Sequence, residues 1–350
     1  MSRFIQLHLL TNYPPSNLNR DDTGRPKSAL MGGANRLRIS SQCQKRAWRQ
    51  SDVFKQDLGD HIGQRTKETG KQVYQQFKQA GIDEKAAREW AKSIAKRFGK
   101  LKSDKKTEND EDLQIEQLAH LSPDELAAVD ALVTACISSK AAPQEAELNL
   151  LRRADSAVDI AMFGRMLAEH QDFSMEAAVQ VAHAVTVHKS AVEDDYFTAI
   201  DDLNQRGAAH IGERGYGAGL FYSYICINRE LLTQNLNGDL ELTRKALQAL
   251  VAAVTKVSPG GMQNSFASRA YASFVLAEKG DQQPRTLAQA FLKPINADDE
   301  ESMLDKAVAA LTQRQTNFDA VYGACADARY DINVEAGRGS FAELIKFVQE

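Results

Sequence analysis

Residues 18–49 read LNRDDTGRPKSALMGGANRLRISSQCQKRAWR, and the rest of the fold is built around this stretch. A polar loop carries Arg20, Arg25 and Lys27 and leads to the Gly32-Gly33 pair. Arg36-Leu37-Arg38-Ile39 alternates basic with apolar residues, the period of a half-buried strand. Ser40-Ser41-Gln42-Cys43-Gln44 follows, and Ser41 with Gln44 three positions later fits a capping box at a helix start. From there Gln42, Lys45, Arg46 and Arg49 stand at i, i+3, i+4 and i+7, one face of a helix. A helix start exposes unpaired backbone N–H groups and partial positive charge, so it receives anions. Three cations added to that end predict a place for phosphates.

The first fifty residues hold nine Lys or Arg against two Asp, a local net charge of +7, whereas the whole chain carries −4. The other three hundred residues therefore sum to −11. Basic charge gathered into one segment of an acidic chain points to a polyanion-binding face. The capped helix start, the basic strand before it and the Gly pair favour phosphate binding over a merely solvated helix face.

With 350 residues, 43% of them hydrophobic and 26% charged, the chain has the composition of a soluble globular protein of one to three domains. No apolar run reaches the roughly 18 residues of a membrane helix. The N-terminus lacks the charged head and apolar core of a secretion signal. Cys43, Cys136, Cys226 and Cys325 are far apart with no CxxC pair, which predicts reduced thiols, no metal site and a cytoplasmic location.

Residues 3–11 alternate as a first strand, with Ile5, Leu7 and Leu9 on one face and Phe4, Gln6, His8 and Leu10 on the other. His8, a lone histidine on a strand, reads as packed or hydrogen-bonded. Helix formers dominate 55–150, where Asp83 caps one helix and Ser122-Pro123-Asp124-Glu125 opens another. SDKKTENDED (103–112) is a polar loop between them, and Trp90 and Phe98 read as the small core of this block. Strand signals return in SAVDIAMFG (156–164) and AAVQVAHAVTVH (177–188). Residues 189–219 show no regular period and read as a long functional loop. GLFYSYICIN (219–228) is an aromatic strand, a helix follows over about 239–256, and a second Gly-rich loop (258–269) precedes the strand AYASFVLAE. Helices near 285–292 and 300–316 and one after Ser340 finish the chain, and no internal repeat is present. The order strand, helix, strand, strand, helix, strand predicts an α+β fold with a ferredoxin-like βαββαβ core, the layout of an RNA-recognition motif.

Several segments carry a family resemblance: FIQLHLLTNYPPSNLNRDD (4–22), LRISSQCQKRAWR (37–49), GRM (164–166), AHAVTVH (182–188), DDYFTAIDDL (194–203), AAHIG (208–212) and GLFYSYICIN (219–228). Together they resemble CasC, the backbone-subunit family of the type I-E CRISPR Cascade surveillance complex. The similarity thins between about 55 and 150 and after about 280. It implies an RRM-like palm (1–54 and 151–350) with an inserted helical finger region (55–150) and a protruding thumb (about 189–218). It also implies a non-catalytic protomer that polymerises along a guide crRNA and presents it to target DNA. The implied partners are crRNA, target DNA, other copies of the chain, other Cascade subunits and a recruited helicase-nuclease, with no cofactor. By position in the family's motifs, Arg20, Lys27, Ser40, Gln42, Lys45, Arg46 and Arg49 would contact phosphates and sugars. Arg165 and Met166 would face the bound strand, and Phe197, Thr198, Ile200 and Ile211 on the thumb would wedge against bases. The aromatic signature of stacking RRMs is missing; Phe221, Tyr222 and Tyr224 read as core.

Catalysis has one foothold. Metal-assisted RNA cleavage needs carboxylates converging on a cation, and the adjacent pairs are Asp21-Asp22, Asp194-Asp195 and Asp201-Asp202. Asp21-Asp22 beside Arg20 makes a metal-dependent ribonuclease the alternative reading. Neighbours on an extended chain point to opposite sides, however, and nearby Arg and Lys offer plain ion-pair partners. His183 and His188 fall on opposite faces of a strand and cannot chelate together. A pure protein-interaction scaffold, the third reading, leaves the basic cluster unexplained.

Overall fold

The computed structural model describes residues 2–103, 109–153, 156–167, 169–200, 202–203, 208–296 and 301–350. Asp201, residues 104–108 of the expected polar loop and residue 300 at an expected helix start lie outside the described residues. Two compact units divide the chain: Met1–Asp57 with Val179–Glu230 and Arg244–Glu350, and Leu58–Ala178 with Leu231–Thr243. In chain order the strands are β1 (Phe4–Ser16), β2 (Ser28–Met31), β3 (Ala34–Ile39), β4 (Gln64–Thr66), β5 (Ala119–Leu121), β6 (Val179–Val181), β7 (Ala184–Thr186), β8 (Glu193–Ile200), β9 (Ala208–Asn228), β10 (Phe274–Gly280) and β11 (Ala328–Asn333).

Among the described residues, nine of these strands form one sheet in the first unit, ordered β11-β10-β1-β9-β7-β3-β2, with β6 and β8 also paired to β9. Every pairing is antiparallel. The helix Ser41–Gln50 follows the first hairpin and Leu240–Lys256 lies between β9 and β10. By chain position the central strands β10, β1, β9 and β6/β7 stand fourth, first, third and second. The α+β class expected from the sequence is the class observed.

β1 is buried on both faces from Ile5 to Thr11, which only a sheet covered on both sides allows. Leu10, Tyr222 and Leu276 on one face pack with Phe291, Leu304, Ala307 and Leu311, so the helix Met303–Tyr322 and the 3₁₀ turn Ala288–Phe291 cover it. Tyr13, Leu37, Ile39, Ala184 and Phe221 form the opposite cluster, against which Cys43 of the helix Ser41–Gln50 packs. Phe221 and Tyr222 are buried, as core residues should be.

The second unit has its own core, where Val73, Phe77, Ala91, Ile94, Phe98, Leu113, Val129 and Val133 come together with Trp90 packed against them. Its helix Pro123–Ser139 starts with a full capping box between Ser122 and Glu125, as the sequence indicates. Leu150, Leu151 and Leu167 belong to the same core. The unit therefore runs on to Ala178 rather than ending near 150, and it also takes in 231–243.

Three expectations are corrected by the structure. Residues 156–164 hold the helix Val158–Phe163, not a strand. Val158 through Met162, Asp159 included, are all buried, and a run buried on every side has no period to tell helix from strand. Residues 177–188 form two short strands, β6 and β7, instead of one. Most of 189–219 is regular, because β8 and the first part of β9 pair from Glu193↔Tyr216 to Ile200↔Ala208 as a ribbon. Nearly every β8 side chain is exposed, so no buried face imposes an alternating pattern on its sequence.

Candidate nucleic-acid interface

The helix Ser41–Gln50 begins one residue earlier than its capping pattern suggests. Ser40 is extended at φ −68° and ψ 148°, and its hydroxyl oxygen accepts the Cys43 N–H. The Ser40 N–H donates to Asn19 Oδ1 at 2.9 Å, which ties the helix start to the loop before β2. Ser41, Gln44 and Trp48 are the buried face of the helix, and the Gln44 side-chain amide donates to the Ala182 carbonyl at 3.0 Å. That leaves Gln42 and Arg46 exposed, with Lys45 and Arg49 at the margins. The one-face placement read from the spacing is thus the outward face of this helix.

The loop before β2 is shaped by its own side chains. Asp21 Oδ1 accepts from the Thr23 N–H, the Thr23 hydroxyl and the Arg25 N–H at 2.9, 2.8 and 3.0 Å. The Thr23 hydroxyl, followed by backbone donors, holds the Asp21 carboxyl below its ordinary range. Asn17, buried at the base, donates to the Gly24 and Gly215 carbonyls. Arg25 is taken up by an ion pair with Asp194 at 2.8 Å. Asp21 therefore serves as a turn organiser through its Oδ1.

The nine early cations sort into different jobs. Arg36 has no exposed surface, and its guanidinium donates to the Thr186 and Phe291 carbonyls at 2.9 and 2.8 Å. Arg3 pairs with Glu230 at 3.5 Å. Arg20, Lys27 and Arg38 are instead brought together by backbone pairing: Arg20 bridges Pro26, the Lys27 N–H donates to the Asn19 carbonyl at 2.8 Å and the Arg38 N–H to the Lys27 carbonyl at 2.8 Å. Burial pushes the Cys43 thiol up, while the charges of Lys27, Arg20 and Arg46 pull against it. Arg38 donates to His183 Nδ1 at 2.7 Å. Burial, then the charges of Arg38 and Lys27, hold the His183 imidazole below its ordinary value, so the neutral ring is the acceptor. The sequence reading missed the Arg38–His183 pair, which forms because β3, carrying Arg38, pairs with β7, which begins directly after His183.

Arg165, expected at the bound strand, is turned inward within the second unit and is only 5% exposed. Its Nε donates to the Phe173 carbonyl, Nη1 to His120 O and Glu125 Oε2, and Nη2 to Arg152 O and Phe173 O. All five N–H groups are used, so the side chain has no donor left for a ligand. Met166 beside it is 80% exposed.

The four thumb positions lie on the ribbon but not together. Strand alternation puts Thr198 and Ile200 on one face, opposite Ile211 on β9. Tyr196 shares that face, and Tyr196, Ile200 and Ile211 are 66%, 74% and 56% exposed. Phe197 occupies the other face, where its register partner is Gly212.

Among the described residues no group of three or more His, Cys, Asp or Glu is placed to hold a metal ion. No helix of the described residues is long and apolar enough to cross a membrane.

The fold has counterparts in solved structures. One chain of "CRISPR RNA-guided surveillance complex, pre-nicking" superposes with a TM-score of 0.84 at 27% identity, covering 99% of both chains. One chain of "CRISPR RNA-guided surveillance complex" shares the fold at a TM-score of 0.64 and 24% identity, covering 99% of this chain and 98% of its own. No curated protein matches. The family model described as CT1975-like protein matches residues 5–344. Matched over nearly its whole length, the chain belongs to the CT1975-like protein family.

Proposed function

We propose that this chain is an RNA-binding backbone protomer of a CRISPR surveillance complex of the Cascade kind, polymerising along a guide crRNA. The observation that carries the reading is the backbone pairing that brings Arg20, Lys27 and Arg38 beside a capped helix start, whose outward face carries Arg46. Cations around free helix N–H groups fit phosphates and sugars without reading bases. Sequence recognition then belongs to pairing between the guide and target DNA. Similarity over 99% of its length to a chain of an RNA-guided surveillance complex supports the same reading.

The central strand order, with a helix after the first and third strands, supports an RRM-like palm. A stacking RRM leaves one sheet face open, whereas here the helix Met303–Tyr322 covers it. The palm therefore holds RNA at its edge, through Arg20, Lys27, Ser40, Gln42, Lys45, Arg46 and Arg49. The ribbon β8–β9 is the thumb, with Thr198, Ile200 and Ile211 on one side and Phe197 on the other, and Met166 offers an apolar contact from the finger unit. The reading is non-catalytic, and the engagement of Asp21 Oδ1 in its own turn supports it over the ribonuclease alternative. Cutting falls to a recruited helicase-nuclease.

Salt dependence of single-stranded RNA binding tests the reading. Lys27→Ala with Arg46→Ala should lower the slope of log affinity against log salt by about 1.4, roughly 0.7 per phosphate contact. An unchanged slope removes the phosphate assignment.

A further inference from the structure

The basic cluster at the helix start includes a titratable side chain that phosphate binding has not yet been asked to use. β6 ends at Val181 and β7 begins at Ala184, so the ladder is interrupted at Ala182 and His183. At that break the Ala182 N–H donates to the Tyr224 carbonyl of β9, and the Ala182 carbonyl accepts from the Gln44 amide of the helix Ser41–Gln50. His183 itself is exposed and meets Arg38, whose Nη1 lies 2.7 Å from its Nδ1. Arg38 is tied through its backbone to Lys27, and both line one cleft with Asn19.

A guanidinium carries N–H donors and no acceptor, so the nitrogen it approaches must accept. His183 is therefore neutral, with its proton on Nε2. Burial, and then the charges of Arg38 on β3 and Lys27 in the loop before β2, hold its pKa below the ordinary value. The neighbours at the break, the Gln44 amide and the Tyr224 carbonyl, are uncharged. His188, the next histidine along the segment, accepts the Leu220 N–H at 3.1 Å. Arg25 has a carboxylate partner, Asp194, that cancels its charge. The imidazole beside Arg38 leaves that charge uncancelled.

We infer that His183 is a proton-gated phosphate ligand of this site. An RNA phosphate that accepts from Arg38 draws the guanidinium N–H away from Nδ1. Nδ1 then binds a proton from solvent, and the imidazolium and the guanidinium hold the phosphate between them. The negative charge offsets the repulsion between the two cations, so RNA and the proton each favour binding of the other. Affinity then rises as the pH falls toward the pKa of the free ring, by at most about tenfold per pH unit for one proton. The inference rests on the RNA-binding reading above and deepens it by naming what regulates the site.

The test measures the affinity of the full chain for a single-stranded oligoribonucleotide at pH 8 and pH 6, each over a salt series. The chains compared are wild type, His183→Gln, His183→Lys and His210→Gln. Wild type should bind about tenfold more tightly at pH 6, and its slope of log affinity against log salt should be steeper there by about 0.7, one more phosphate contact. Both differences should vanish in His183→Gln, which can accept from Arg38 but cannot gain a charge. His183→Lys, a permanent cation, should show the steeper slope at both pH values. His210→Gln removes an exposed histidine of the ribbon and should keep the wild-type response. Calorimetry at pH 7 in two buffers of different ionisation heat should show proton uptake on binding by wild type and none by His183→Gln. Circular dichroism at both pH values checks that each chain is folded. RNA binding without a pH response in wild type, or a pH response that survives in His183→Gln, overturns the gate and leaves the phosphate reading standing. Absence of RNA binding by wild type at either pH overturns both.

Discussion

The imidazole of His8 and the carboxylate of Glu278 meet at 3.1 Å, with neither side chain exposed to solvent. His8 Nδ1 lies 2.9 Å from the Tyr222 hydroxyl. Nε2–H therefore donates to Glu278 Oε2 and Nδ1 accepts from Tyr222, so the network holds a neutral ring. Glu278 Oε1 accepts from Arg329 Nε at 2.8 Å and Arg285 Nη2 at 3.1 Å. Burial works against the Glu278 charge, but the bonds from His8 and Arg285 outweigh it and its pKa falls well below the ordinary range. Burial also dominates at His8 and lowers its pKa.

Both shifts have the same sign for stability. Each group binds protons more readily when unfolded, so the native state gains from high pH and loses on acidification. The His8 contribution is full above its unfolded value of about 6.5 and declines as the pH falls below it. Glu278 adds its loss only below the ordinary carboxylate range. Thermal melts at pH 7.5 and 5.5 should show a drop for the wild-type chain, and His8→Gln should flatten that drop. An equal drop in the variant would assign the acid sensitivity elsewhere.

Arg165 and Glu125 form a buried pair at 2.7 Å, and Glu125 also accepts the Ser122 and Arg152 N–H groups. Removing one partner leaves an uncompensated buried charge, which costs about 3–5 kcal/mol. Arg165→Met should lower the stability of the second unit by that much in a urea titration, with RNA affinity per folded molecule unchanged. A selective loss of affinity at full stability would return Arg165 to the RNA-facing set.

Gly32 and Gly33 join β2 to β3 with φ of +58° and +75°, the two-residue turn that suits a twisted hairpin. A Cβ at Gly32 would fall 1.7 Å from the Leu292 carbonyl oxygen, while at Gly33 nothing lies within 4 Å. Gly33→Ala should cost about 1 kcal/mol for the left-handed backbone alone. Gly32→Ala should cost about 2–3 kcal/mol, since the Leu292 backbone must also move. Denaturant midpoints of the two variants give the comparison; equal costs would exclude the close approach.

The sequence by itself determined the outward face of the helix Ser41–Gln50, because helical spacing fixes which residues share a side. It determined the capping box at Ser122 and the packing role of Phe221 and Tyr222, both matters of local chemistry. It also gave the α+β class. Tertiary structure decided which cations remain on the surface: Arg36 and Arg165 look like any other arginine until the carbonyls that enclose them are brought in from Thr186, Phe291, Phe173 and Arg152. It decided that 158–163 is a helix, since a run buried on every side carries no period. It decided that 193–200 and 208–216 pair as a ribbon, since strands with no buried face carry none either. Once β8 is a strand, alternation alone parts Phe197 from Thr198 and Ile200, whereas the face that Ile211 shares came from the register of β8 on β9, a property of pairing.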